Sequence, residues 1–172
     1  MNLANMADQI QASTSSMELG ITIKCFTEVG KLIGLGKVIF QAQEIIDLDA
    51  QTAVHGALIS IETSGEYPSN SVSVIGYDNI DKACAAIDKI KLIDPKSSKF
   101  KSIEARFTVD GLTIMVFNVP GKDAFVPTAE KLMFSVSSGN CSAFFEISKI
   151  SELKLLLIKA RETIDACKHT ST

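Results

Sequence analysis

Tryptophan is absent from this chain, and tyrosine and histidine occur twice each. Arginine is confined to Arg106 and Arg161. So few rings and guanidinium forks leave little material for stacking on bases or gripping phosphates bidentately. His55 and His169 are a thin supply of general bases or imidazole ligands. Cys25, Cys84, Cys141 and Cys167 form no Cys-x-x-C pair and lie far from either histidine in sequence, which argues against the closely spaced half-shells of a zinc site. Long apolar runs are missing as well. The most apolar early stretch, Ile21 to Phe40, is broken by Lys24, Glu28, Lys31 and Lys37 and falls short of the roughly 20 uninterrupted apolar residues of a membrane helix. The first residues carry Asp8 and Glu18 and no early lysine or arginine, unlike a secretory signal. A soluble, cytoplasmic protein with no membrane partner is the expectation.

What is present is the composition of a globular protein. Within 172 residues, 46% are hydrophobic and 22% charged, enough to bury one core and too apolar for bulk disorder. A net charge of −3 opposes wholesale coating of nucleic acid or acidic membrane. No disulfide is needed at this size. Cys84 and Cys167 fall on the apolar stripes of predicted helices and Cys141 on the apolar register of a strand, so all three read as small buried hydrophobes with free thiols.

Hydrophobic periodicity sets the element order. Residues 1–20 read as an N-terminal tail with a short helix on Leu3, Met6, Ala7 and Ile10. Alternation then predicts strands on Ile21–Cys25, Val38–Ala42, Ala57–Ile61 and Val72–Ile75. The end of the first is ambiguous, because Phe26, Val29 and Ile33 also suit a helix start. Asp78 stands as N-cap to a helix over about 79–92, with Ile80, Ala83, Cys84, Ile87 and Ile90 on one face, and Pro95 stops it. Ile103–Val109 and Leu112–Val116 alternate around Asp110-Gly111, the pair that a tight type I′ hairpin needs. Leu132–Val136 and Cys141–Ile147 follow, and a helix over 149–167, capped by Ser148 or Ser151, closes the chain. The fold class is therefore α+β: a mostly antiparallel sheet in ββββα-ββββα order with two amphipathic helices packed on it. A single domain over 21–168 is expected, divisible into halves at 21–94 and 95–168.

Two resemblances bear on this plan. The runs Val72–Ile90, Glu104–Phe117 and Phe144–Ile164 resemble a set of small, mostly bacterial proteins of unknown function, which implies no activity. The doubled ββββα order is similar in topology to the Whirly and purine-rich-element-binding (PUR) repeat proteins. That likeness implies single-stranded nucleic-acid binding, though no motif of those families is present to carry over.

Few candidate residues for chemistry emerge. Gly34-Leu35-Gly36 reads as a turn, since the third glycine of a dinucleotide fingerprint is replaced by Ile39. Asp47-Leu48-Asp49 lacks the continuation of a calcium loop and reads as a solvated turn. His55 beside Cys25 is the one pairing a nucleophile would need, but a lone histidine before a strand reads first as a surface or capping residue. The most suggestive feature is a lysine-rich connector, Lys89, Lys91, Lys96, Lys99, Phe100 and Lys101, able to neutralise phosphates and offer a ring for stacking. It reads first, however, as a solvated helix end and linker, with lysines near the C-terminus favoured by the helix dipole. With no convergent acid, base, nucleophile or metal set, the sequence points to a non-enzymatic binding or scaffold protein without cofactor, foremost a protein-interaction module. Single-strand binding through the connector is the alternative. Apolar residues on both registers, such as Leu58 beside Ile59 and Phe144 beside Phe145, imply that a second sheet face is covered, as in a homodimer.

Overall fold

The computed structural model describes residues 20–63, 67–94, 102–119 and 131–169. The expected N-terminal tail and its short helix lie outside them, as do Lys96, Lys99, Phe100 and Lys101. The chain runs β1 (Thr22–Gly34), β2 (Gly36–Asp47), β3 (Thr52–Glu62), β4 (Asn70–Gly76), α1 (Tyr77–Ile90), β5 (Glu104–Val109), β6 (Leu112–Val119), β7 (Lys131–Ser138), β8 (Cys141–Glu146) and α2 (Ile150–His169). The α+β class and the ββββα-ββββα order are those read from the periodicity. The strands form two separate four-stranded antiparallel meanders instead of one sheet: sheet A in the order β1-β2-β3-β4 and sheet B in the order β5-β6-β7-β8.

The first strand shows why its pattern was ambiguous. The β1–β2 register shifts between Glu28 and Gly30, leaving Val29 as a bulge. An extra residue reverses the pleat. Before it, Ile23, Cys25 and Thr27 share a face with Glu44 and Ala42 of β2; after it, Gly30 and Leu32 do, opposite Phe40 and Val38. The helical spacing of Phe26, Val29 and Ile33 is a by-product of that reversal, and the segment is one thirteen-residue strand.

Each sheet turns one face inward. Phe40, Ile59, Ile61 and Ile75 of sheet A and Leu112, Ile114, Phe134 and Phe145 of sheet B are fully or almost fully buried, in one cluster with both helix stripes. Phe134 and Phe145 stack with centroids 5.1 Å apart. The face taken by α2 is fixed by Gly30, where an added Cβ would meet Leu156 Cδ2 at 2.6 Å. The sheets are also joined through the β1–β2 tip. Leu35 and Phe144 exchange two backbone hydrogen bonds of 2.9 Å each, so the Gly34-Leu35-Gly36 turn docks on the edge of β8.

The helix starts differ from expectation. Asp78 lies inside the first turn of α1, and the N-cap position is Gly76, which makes no side-chain cap. The anion there comes from the other sheet. Asp110, at the β5–β6 turn with φ 45°, accepts hydrogen bonds from Gly76 N at 2.9 Å and from Asn79 Nδ2 at 2.9 and 3.1 Å. Neither serine caps α2 as expected: Ser148 falls in a 3-10 turn, Ile147–Lys149, and Ser151 inside the helix. Ion pairs then tie the helices to each other, Lys154 to Asp88 at 2.6 Å and Arg161 to Asp81. Tyr77 donates to Asp165 at 2.5 Å beneath the cation of Lys168. Among the described residues no helix is long and apolar enough to cross a membrane.

Candidate interaction surface and adjoining pocket

Strands β1, β2 and β3 are 13, 12 and 11 residues long, whereas β4 has only 7. Because β4 pairs with β3 only from Gly56 to Glu62, the ends of β1–β3 nearest the β2–β3 turn extend beyond it as a three-stranded blade. The inner face of the blade lies under the end of α2, and no described helix or strand packs on its outer face. By register the outer face of sheet A as a whole carries Phe26, Ile39, Ile45, Val54, Leu58 and Val72, interleaved with polar residues such as Gln41 and Ser60 and all on the side opposite Gly30, Phe40 and Ile59. Val72 is 55% and Phe26 49% exposed. Helices that bury one face of a sheet leave the other to water, and alternation normally makes it polar. Here β-branched and aromatic side chains line both faces, the feature noted at Leu58 and Ile59.

The outer face of sheet B repeats the pattern on a smaller scale. Phe117 and Phe144 meet edge to face, centroids 6.3 Å apart. Met115 and Met133 lie on the same face by register. Each outer face also holds one buried polar atom without a hydrogen-bond partner, Gln43 Oε1 on sheet A and Ser135 Oγ on sheet B. Such a group costs about 1–3 kcal/mol until something supplies the missing bond.

Charges on sheet A are balanced. Lys37 pairs with Glu62 at 2.7 Å, and Lys24 and Lys31 are interleaved with Glu28 along β1. Among the described residues no continuous cationic track runs beside the apolar ones. Of the lysine-rich connector, Lys89 and Lys91 are described; they are exposed at the end of α1, away from these faces. The ring expected to accompany them, Phe100, lies outside the described residues. The outer faces themselves had left a signal in the sequence, the apolar residues on both registers, but not which face the helices would take.

Under the end of α2 is a pocket of about 50 Å³ lined by Cys25, Ala42, Glu44, His55, Ile164 and Cys167. Register explains the grouping: Cys25 pairs with Glu44, and Glu44 with His55, across three neighbouring strands. His55 Nε2 and Glu44 Oε1 are 2.9 Å apart, which orients the half-buried imidazole. The histidine is thus fixed by a cross-strand carboxylate and is neither a surface nor a capping residue. The lining is mainly apolar. Among the described residues, no group of three histidine, cysteine or acidic side chains is arranged to hold a metal. The Asp47 carboxylate is engaged in its own turn, accepting from Asp49 N at 3.0 Å and Ala50 N at 2.9 Å.

Cysteine environments divide two and two. Cys84 and Cys141 are buried, as their registers implied, whereas Cys167 is exposed together with Cys25. Position 167 continues the α2 stripe in sequence, but the helix there is flanked by the pocket instead of core. Burial pushes the Cys84 thiol up, opposed by Lys154 and reinforced by Asp88. A raised thiol pKa means that the stability gained by burying it uncharged is complete below the ordinary thiol range and is lost as pH rises through the folded value. Alkylation with iodoacetamide at mildly alkaline pH is therefore expected to modify Cys25 and Cys167 rapidly. Cys84 and Cys141 should react only when the chain opens, and equal rates at all four sites by mass spectrometry would contradict this division. Comparison with protein-family models, with curated proteins and with solved structures finds no match to this chain.

Proposed function

We propose that the chain is a non-enzymatic protein-interaction module whose docking surface is the outer face of sheet A. The observation that carries this reading is the set of apolar residues on that face, the exposed Phe26, Val54 and Val72 with the half-buried Ile39, Ile45 and Leu58, against which no described helix or strand packs. Clustered apolar side chains on one side of a sheet mark a contact surface, where the same residues scattered singly would not. Burying a Val, Leu, Ile or Phe side chain is worth about 1.5–3 kcal/mol, so this row is large enough to hold a partner after the cost of association. Gln43 Oε1, buried within the same face, offers an acceptor to an incoming donor. Balanced charge, with Lys37 neutralised by Glu62, suits a protein surface better than a polyphosphate backbone.

Photocrosslinking tests the reading. A benzophenone amino acid at Val72, on the face, should give a discrete protein adduct in the cells that make the protein. The same group at Glu152, exposed on α2, should not. Loss of the Val72 adduct on changing Leu58 to Lys, with the fold intact by circular dichroism, is the expected companion result. Equal adducts at both positions, or none at Val72, would reject sheet A as the docking surface.

A further inference from the structure

We infer that the outer edge of β1 over Lys24–Glu28 pairs with the same segment of a second copy of this chain, antiparallel and centred on Phe26, to make one continuous eight-stranded sheet. This rests on sheet A being the docking platform and names the occupant of its margin. Two of the other sheet edges carry contacts to described residues of the opposite sheet. β4 is tied to sheet B by Ser73 Oγ to Ser138 Oγ at 2.6 Å and by Gly76 to Asp110. β8 is bridged by Leu35. Among the described residues β5, like β1, has a strand neighbour on one side only, but its two charged side chains, Glu104 and Arg106, pair with each other at 2.8 Å and leave no charge to match a second copy. Among the described residues β1 has a strand neighbour on one side only, and Thr22 to Glu28 are all exposed. An edge of this kind is a template for another strand.

The charges on that edge decide which strand. Edges meant to stay unpaired carry like charges, usually lysine, or a bulge. Here the bulge at Val29 protects only the half of β1 beyond it. On the straight half, Lys24 and Glu28 stand two residues either side of Phe26 on the outer face, with no ion-pair partner among the described residues. A twofold axis through Phe26 sets Lys24 of each copy opposite Glu28 of the other and places the two Phe26 rings together. Both contacts are favourable as cross-strand neighbours, and the arrangement is self-complementary, as a twofold interface must be. The same axis puts both outer apolar faces on one side, doubling the platform.

Light scattering coupled to size exclusion across a dilution series tests the pairing in the full chain. The unmodified protein should show twice the chain mass at high concentration. Lys24→Glu alone, or Glu28→Lys alone, sets like charges opposite each other twice per dimer and should weaken it about tenfold. The double reversal, K24E with E28K, should restore the dimer, which a mere folding defect in either single variant would not allow. A strict monomer, or a dimer indifferent to the single reversals, would overturn the inference. These outcomes are separable from the docking reading: a monomer that still crosslinks at Val72 fails only the edge pairing, and an intact dimer without that adduct fails only the face. Protection of β1 amides in a monomer would assign the edge to another occupant, such as residues 1–19, and would also overturn the pairing.

Discussion

Gly34→Ala is expected to destabilise the fold by about 3 kcal/mol or more, although the residue sits at a hairpin tip where substitutions are usually tolerated. An added Cβ would lie 2.4 Å from the Phe144 carbonyl oxygen and 2.5 Å from Cδ1 of Phe145. Neither neighbour can yield cheaply. The Phe144 carbonyl accepts from Leu35 N at 2.9 Å, and the Phe145 ring is 1% exposed and stacked on Phe134. Relief therefore requires breaking the backbone bridge between the sheets or displacing a core ring. Gly36→Ala should be similarly damaging, since it adds a positive φ of 100° to contacts of 2.9 Å with Ala143 Cβ and 3.0 Å with the Glu62 carbonyl. Leu35→Ala is the contrasting variant. Its side chain is 72% exposed, and the bridge uses only its backbone, so the change should cost less than about 1 kcal/mol. Urea unfolding followed by circular dichroism separates the three. A Gly34→Ala protein as stable as the unmodified chain would mean that the sheets are not joined at this point.

The glycines at 34 and 36 were legible as a turn but not as a joint. Nothing local distinguishes a glycine kept for its φ from one kept because another backbone lies against it, and Phe144 is more than a hundred residues away along the chain. The contrast with β5–β6 is instructive. Asp110-Gly111 specifies its own geometry through two positive φ values, so the hairpin and its register followed from four flanking residues. Strand and helix types were legible wherever the period ran unbroken, as on Ile80 to Ile90. They became ambiguous at β1, where a single bulge reversed the pleat. The existence of two sheets instead of one was hidden, because alternation reports a buried face and not which strand lies beside it.

The candidate site shows the same division. That both faces of some strands are apolar was visible at Leu58-Ile59 and Phe144-Phe145, and those are the outer faces described above. The pocket was half visible: Cys25 and His55 were a conceivable pair, but Glu44 joins them only through the registers of β1–β2 and β2–β3. Cys167 looked like one more member of a stripe, because sequence periodicity continues past the point where a helix leaves the core. The lysine connector stood out through composition alone, and of its residues only Lys89 and Lys91 fall among those described.

Asp110→Ala is expected to cost about 3 kcal/mol, the combined loss of a residue suited to positive φ and of a half-buried charged acceptor for a helix start. The carboxylate serves Gly76 N and the Asn79 amide across the boundary between sheets A and B, while Asn79 Oδ1 accepts from Lys82 at 2.8 Å. An N-terminal helix end favours negative charge and needs acceptors for its free amides, and α1 has no side-chain cap of its own. Two variants separate the contributions. Asp110→Gly keeps the φ of 45° accessible and removes only the acceptor, so it should cost about 2 kcal/mol. Asp110→Asn keeps both the φ tolerance and one acceptor oxygen and should cost about 1 kcal/mol. Thermal and urea unfolding give the order Ala, Gly, Asn from most to least damaging. If Asn79→Ala costs as much in the Asp110→Gly background as in the unmodified chain, the two residues do not act through their shared hydrogen bonds, and the cap across the sheets is not what holds α1 in place.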